Sequence, residues 1–250
     1  MPWNLLNTIK SPSKKGNVLA RWVAVGSGGL IAYSSDGNNW TAATTKGGIT
    51  TVAYGVAYGT DGAGVGRWVA VGGGGLIAYS SDGNNWTAAT TKGGITSYGR
   101  GVAYGTNGAG IARWVAVGDG GLIAYSSDGN NWTAASTIGG LNTIGRGVAY
   151  GTNGAGVPRW VAVSEGGSFI AYSSDGNNWT AATSKGGLTS VGYGVAYGTN
   201  GAGVPRWVAV GSGGIIAYSS DGNNWSPAAS IGGLITNVYG AAFNPDLPLV

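Results

Sequence analysis

The sequence predicts an all-β protein, a five-bladed β-propeller of four-stranded antiparallel blades. Three observations carry that expectation. The motif Arg-Trp-Val-Ala-Val starts at Arg21, Arg67, Arg113, Arg159 and Arg206, at intervals of 46 or 47 residues. A fixed period in this range marks a repeat architecture, in which each unit buries its faces only against its neighbours. A second motif, Tyr-Ser-Ser-Asp-Gly-Asn-Asn-Trp, is identical at Tyr33, Tyr79, Tyr125, Tyr172 and Tyr218. Finally, 52 of the 250 residues are Gly with no three-residue period, so turns are many and strands short.

One repeat shows why each element forms. Tyr54-Gly-Val-Ala-Tyr58 alternates large and small residues with the period of a strand. The loop Gly59-Thr-Asp-Gly-Ala-Gly64 follows. Arg67-Trp-Val-Ala-Val71 is rich in β-formers and offers Trp68 and Ala70 to one side, Val69 and Val71 to the other. Both sides are apolar, as a sheet packed between neighbours requires. Gly72 to Gly75 turn the chain into Leu76-Ile-Ala-Tyr-Ser80. Asp82-Gly83 then signals a hairpin into Trp86-Thr-Ala-Ala89. Four strands per unit and five units read as a propeller.

The first repeat lacks the Tyr-Gly-Val-Ala-Tyr strand before Arg21, and the missing copy stands at the other end as Tyr239-Gly-Ala-Ala-Phe243. The expectation is a ring closed by this C-terminal strand, about 238–243, joining the first blade. Residues 1–20 form a non-repeat arm and 21–250 the propeller domain.

Composition excludes several function classes. There is no Cys and no His, which removes thiol chemistry, the commonest general base and the commonest metal ligand. No metal and no cofactor are expected. Charged residues are only 9% and the net charge is +4, too dilute for a phosphate-tracking surface, so nucleic acid is not an expected partner. No apolar run approaches the length of a membrane span. Residues 1–20 lack the apolar core of a signal peptide. A protein working outside a cell would then leave by another route, such as assembly into a particle.

The segment Ser35-Asp36-Gly37-Asn38-Asn39-Trp40 resembles the Asp-box of sialidase-type propellers, one residue shorter between Asp and Trp. The whole unit is similar to repeats in surface proteins of large DNA viruses and phages. The five-blade count with a C-terminal closing strand is similar to the tachylectin-2 type of lectin. The resemblance covers all five repeats and implies the propeller fold; for function it implies only a broad class.

Asp36, Asp82, Asp128, Asp175 and Asp221 are expected to accept hydrogen bonds from their own turns rather than act on a substrate. Trp40, Trp86, Trp132, Trp179 and Trp225 are expected to pack between blades. The arginines before each Trp are expected to cover the indole or to pair across blades. Asp61 becomes Asn at 107, 153 and 200, which points to a turn residue and not to a calcium ligand. The sialidase resemblance implies converging arginines, a Tyr nucleophile with a Glu and an acidic Asp; the only Glu is Glu165, in a turn. No catalytic residue is assigned.

Near-identical repeats differ at few places, and strand direction puts these at one end of the blades. The turn between the second and third strands carries Asp119 and Glu165, with an insertion in the fourth copy. The connection between blades carries Lys46, Lys92 and Lys185. The start of the innermost strand carries Tyr54, Arg100, Arg146, Tyr193 and Tyr239, expected to ring a central mouth. Amphipathic rings and a planar guanidinium suit polar, ring-shaped ligands. These are the candidate ligand contacts.

The sequence therefore points to a non-enzymatic, multivalent, lectin-like adhesin on a virus or phage surface, with a glycan or host-surface receptor as partner. A structural virion component is the alternative, its arm (Met1 to Lys15, with Trp3, Leu5, Leu6 and Ile9) docking on other virion proteins. A sialidase-like hydrolase is a third class, tested by turnover of a fluorogenic glycoside.

Overall fold

A computed structural model describes residues 22–167 and 169–243. The N-terminal arm, with its expected docking role, lies outside the described residues. The chain is all-β, with five antiparallel sheets that follow one another along the sequence, the fold class of a five-bladed β-propeller. The first sheet holds β1 (Trp22–Gly26), β2 (Leu30–Ser34) and β3 (Thr41–Ala42). The second holds β4 (Ala53–Thr60), β5 (Gly66–Gly72), β6 (Ile77–Ser80) and β7 (Thr87–Ala88), and the third β8 (Gly99–Thr106), β9 (Ala112–Gly118), β10 (Ile123–Ser126) and β11 (Thr133–Ala134). The fourth comprises β12 (Ile144–Thr152), β13 (Pro158–Glu165), β14 (Ile170–Ser173) and β15 (Thr180–Ala181), and the fifth β16 (Gly192–Thr199), β17 (Pro205–Gly211), β18 (Ile216–Ser219) and β19 (Ser226–Pro227). Among the described residues no helix is long and apolar enough to cross a membrane.

The chain divides into two compact units. Sheets one to three make up most of the first, sheets four and five most of the second. Each unit has its own core. Trp68, Val69, Ala70 and Val71 of β5 are fully buried on both faces, as are Trp160, Val161, Ala162 and Val163 of β13. Burying an aromatic or aliphatic side chain of this kind stabilises by roughly 1.5–3 kcal/mol.

The sheets interlock through a repeated large-against-small contact. In the first unit Tyr104 lies over Gly59, where a Cβ would collide with the ring; in the second Tyr197 lies over Gly151 in the same way. Polar atoms then fix the register. Thr60 Oγ1 and Tyr104 OH are 2.5 Å apart, and Trp114 Nε1 donates to the Thr60 carbonyl at 3.0 Å. Thr152 and Tyr197, and Trp207 with the Thr152 carbonyl, repeat both bonds. The connecting segment adds another link: Thr45 Oγ1 donates to the Trp86 carbonyl and accepts from the Trp86 N–H.

The C-terminal segment departs from the simplest expectation. Among the described residues the first sheet has three strands, and 238–243 carries no strand pairing. Packing explains its placement. Residues 239–243 repeat beside β16 the contacts that β16 makes beside β12: Phe243 lies over Gly198 as Tyr197 lies over Gly151, and Tyr239 and Gly240 face Gly194 as Tyr193 and Gly194 face Gly147. The segment thus holds the place of a further innermost strand through packing, with the Val238 N–H donating to the Gly211 carbonyl at 3.0 Å. Phe243 has no hydroxyl, so the bond from Thr152 to Tyr197 has no counterpart there.

Candidate functional site

At one end of each sheet the invariant turns are closed systems. Asp128 Oδ1 accepts the N–H groups of Asn130 and Asn131 at 2.8 Å, its Oδ2 accepts Asn131 Nδ2, and Ser126 Oγ donates to it. Trp132 Nε1 donates back to the Gly129 carbonyl. Burial pushes the Asp128 carboxyl up, but the hydrogen bonds from Asn131, Asn130 and Ser126 outweigh it and hold it at about 2. Asp221 is held at about 2 by the same balance, and Asp82 and Asp175 are lowered by it. Asp36, in the exposed first copy, is held well below the usual carboxylate range, chiefly by the Asn39 and Asn38 hydrogen bonds. These carboxylates use their oxygens on their own backbone.

Trp86, Trp132, Trp179 and Trp225 are buried as expected, whereas Trp40 is 38% exposed. The tryptophans on the second strands carry the deepest packing instead. The repeated arginines also differ from expectation. Arg113, Arg159 and Arg206 lie 4.4–4.8 Å over the rings of Tyr125, Tyr172 and Tyr218, so each covers a phenol and not an indole. Arg67 covers Tyr79 and reaches across to the Asp128 carbonyl in the same unit. Asp61 Oδ1 accepts the N–H groups of Ala63 and Val65, which makes it the turn residue its Asn copies implied.

The opposite end holds the variable residues. The ladder between β4 and β5 skips one residue between Ala53 and Gly55, and the skipped residue is Tyr54. The ladder from β12 to β13 skips Arg146, and that from β16 to β17 skips Tyr193. A β-bulge turns a side chain out of the regular alternation and is common beside functional sites. Three candidate contacts are therefore bulge residues, each followed by a Gly.

In the first unit Arg100 is paired with Asp119. Its Nε donates to Asp119 Oδ1 at 2.8 Å and its Nη2 to Oδ2 at 3.3 Å. Its guanidinium lies 4.6 Å from the centre of the Tyr54 ring and 4.8 Å from that of Tyr98. Burial pulls the Arg100 guanidinium down, but the Asp119 hydrogen bonds and charge outweigh it and leave it raised. In the second unit Arg146 Nη2 donates to Glu165 Oε2, and its guanidinium lies 5.6 Å from the Tyr193 ring. Tyr193 packs on Tyr239 with ring centres 4.8 Å apart.

The structure thus brings Tyr54, Arg100 and Asp119 together, and separately Arg146, Glu165, Tyr193 and Tyr239. Lys185 Nζ lies 4.9 Å over the Phe169 ring. Lys46 and Lys92 join neither cluster: among the described residues no hydrogen bond or ion pair links them to a Tyr or Arg. Their carbonyls close the linker turns by accepting from Ile49 and Ile95. Sequence reasoning missed Tyr98 and Phe169. Tyr98 was findable as the aromatic at a position held elsewhere by Val52, Ile144, Val191 and Asn237. Phe169 follows the fourth-copy insertion and has φ of 60°, the one positive φ outside Gly among the described residues.

A cleft of about 100 Å³ in the second unit, lined by Tyr197, Thr199, Arg206, Val208 and Phe243, lies toward the other end of β16. On the fourth sheet the matching Thr152, Arg159 and Val161 are covered by Trp207 and Gly222. The cleft therefore has the lining of a packing seat, with Arg206 as its sole charge.

No protein-family profile matches the chain, and no curated protein sequence does. Solved structures do. The chain is similar to YCF48 bound to D1 peptide, at 19% identity and a TM-score of 0.56, over 92% of this chain and 72% of that one. It is also similar to the RRP9 WD40 repeats, at 11% identity and a TM-score of 0.60, over 88% of this chain and 65% of that one. At these identities the likeness establishes the β-propeller fold.

Proposed function

We propose that this protein is a non-enzymatic binding module whose ligand contacts lie on the variable-loop end of its sheets, and that the ligand is a glycan. The observation that carries this reading is the bulged placement of Tyr54, Arg146 and Tyr193, with Arg146 paired to Glu165 and each tyrosine against an arginine that holds an acidic turn residue. Aromatic faces bind the apolar side of a sugar ring, while guanidinium and carboxylate groups take its hydroxyls. The invariant carboxylates of the other end are occupied by their own turns, which supports binding over catalysis. Repetition offers further positions to one branched ligand, and simultaneous engagement raises avidity by roughly 10² or more. The resemblance to viral and phage repeats supports a place on a particle surface.

A glycan array probed with the folded protein tests the reading. Binding to a chemically related subset is the expected result; a blank array together with a blank scan of host cells contradicts it. A protein or peptide ligand is the second reading, supported by the similarity to YCF48, whose structure holds a peptide. Selection from a random peptide library, with competition by the array hits, separates the two.

A further inference from the structure

The two clusters at the variable end share a residue pattern but not an occupancy. Arg100 and Asp119 satisfy each other with two parallel hydrogen bonds, the forked geometry that Arg and carboxylate favour. Two phenol rings, Tyr54 and Tyr98, set edge to face with centres 6.0 Å apart, also lie against the guanidinium. The Arg100 and Asp119 side chains are 16% and 21% exposed. The pair is thereby largely covered from a ligand.

The second unit changes each of these terms. Ile144 stands where Tyr98 stands, so Arg146 has one ring partner and not two. Glu165 is longer than Asp119 by one methylene and meets Arg146 through Oε2; among the described residues its Oε1 accepts no hydrogen bond. The pair is 29% and 40% exposed, and beside it the Tyr239 ring is 44% exposed. The only Glu of the chain, its one insertion within a repeat and, among the described residues, its one non-Gly positive φ fall at this turn. In a chain of near-identical repeats, such departures mark where symmetry has been given up.

We infer that Arg146, Glu165, Tyr193 and Tyr239 form the principal sugar subsite of the chain, reading two adjacent hydroxyls of a pyranose, while the Arg100 cluster is a self-filled copy. This rests on the glycan reading above. A vicinal diol presents donors and acceptors side by side. The open Glu165 oxygen accepts from one hydroxyl, an Arg146 N–H donates to the other, and the exposed face of Tyr239 takes the apolar face of the ring.

The test is a calorimetric titration of the full chain with methyl mannoside and methyl galactoside, each paired with a deoxy form lacking one of two adjacent hydroxyls. The expected result is a first equivalent per chain that weakens at least tenfold with the deoxy sugar. It weakens by the same factor in Glu165→Gln, and in Arg146→Lys, which keeps the charge but loses the planar fork. Asp61→Asn, at the other end and already natural in three copies, serves as the folded control with unchanged affinity. Affinity for the first equivalent that is unmoved by Glu165→Gln overturns the subsite, as does equal affinity for the deoxy sugars. So does failure of both glycosides when larger glycans still bind, and in each of these cases the glycan reading stands. If no glycan of any size binds, that reading falls and takes the subsite with it.

Discussion

Asp128 and Asp175 sit in turns of identical chemistry, one in each unit, with the same four acceptor contacts and the same downward pull on the carboxyl. Arg100 and Arg146 sit at the opposite end of neighbouring repeats, and they differ in ring partners, in acid partner and in exposure. The contrast separates two uses of one repeat. In the invariant Asp turns the carboxylate oxygens are consumed by the turn itself, and the residue holds the fold. Where copies differ, polar valence is left over in some and closed in others. Invariance in this chain marks structure, and variation marks the proposed ligand surface.

Substitutions can break this division, and the largest effect belongs to the packed strands. Trp207→Ala removes a fully buried ring and its bond to the Thr152 carbonyl. It is expected to cost about 3–5 kcal/mol, read from urea unfolding, and Trp114→Ala should match it in the first unit. A loss below about 1 kcal/mol in either would remove the second-strand tryptophans from the account of stability. Next comes Asp128→Ala, which strands two backbone N–H groups and the Asn131 amide. A loss on the order of 1 kcal/mol is expected, with sugar binding unchanged. Equal loss of binding would erase the distinction between the two ends.

Acid titration sharpens the same point. The carboxyls of Asp128 and Asp221 lie near 2 in the folded chain against an ordinary value of 3.8. Because the folded values are depressed, the stability they contribute is complete above about pH 4 and lost as pH falls toward 2. Melting temperature should therefore be level from pH 7 to 5 and decline below 4; a flat profile down to pH 2.5 would contradict the hydrogen-bonded turns. The smallest effect belongs to Asp61→Asn. It keeps the acceptor for Ala63 and Val65 and loses only a 3.5 Å contact with Arg67, so the expected change is within about 0.5 kcal/mol.

Most of the fold was legible because packing repeats with the sequence. Trp68, Val69, Ala70 and Val71 alternate over two apolar faces, and all four are buried. The internal hydrogen bonding of Asp36 and its copies followed from the Asp-Gly turn. Other features depend on three-dimensional neighbours that no single repeat records. The bulges at Tyr54, Arg146 and Tyr193 are a matter of ladder register, hinted at only by the Gly that follows each one. That Arg206 covers Tyr218 and not an indole depends on the strand register, which pairs Tyr218 with Val208, two residues along from Arg206. Lys46 looked like a partner for Tyr54 because both vary at one end of the sheet, but position along a strand does not fix distance across it.

Amide chemical shifts of the isotope-labelled protein, followed as sugar is added, test the central claim most directly. The account predicts that the shifted signals cluster at Arg146, Glu165, Tyr193 and Tyr239, with those of Asn130, Asn131, Asn177 and Asn178 in the invariant turns unmoved. Shifts concentrated in the invariant turns, with a silent variable end, would contradict it.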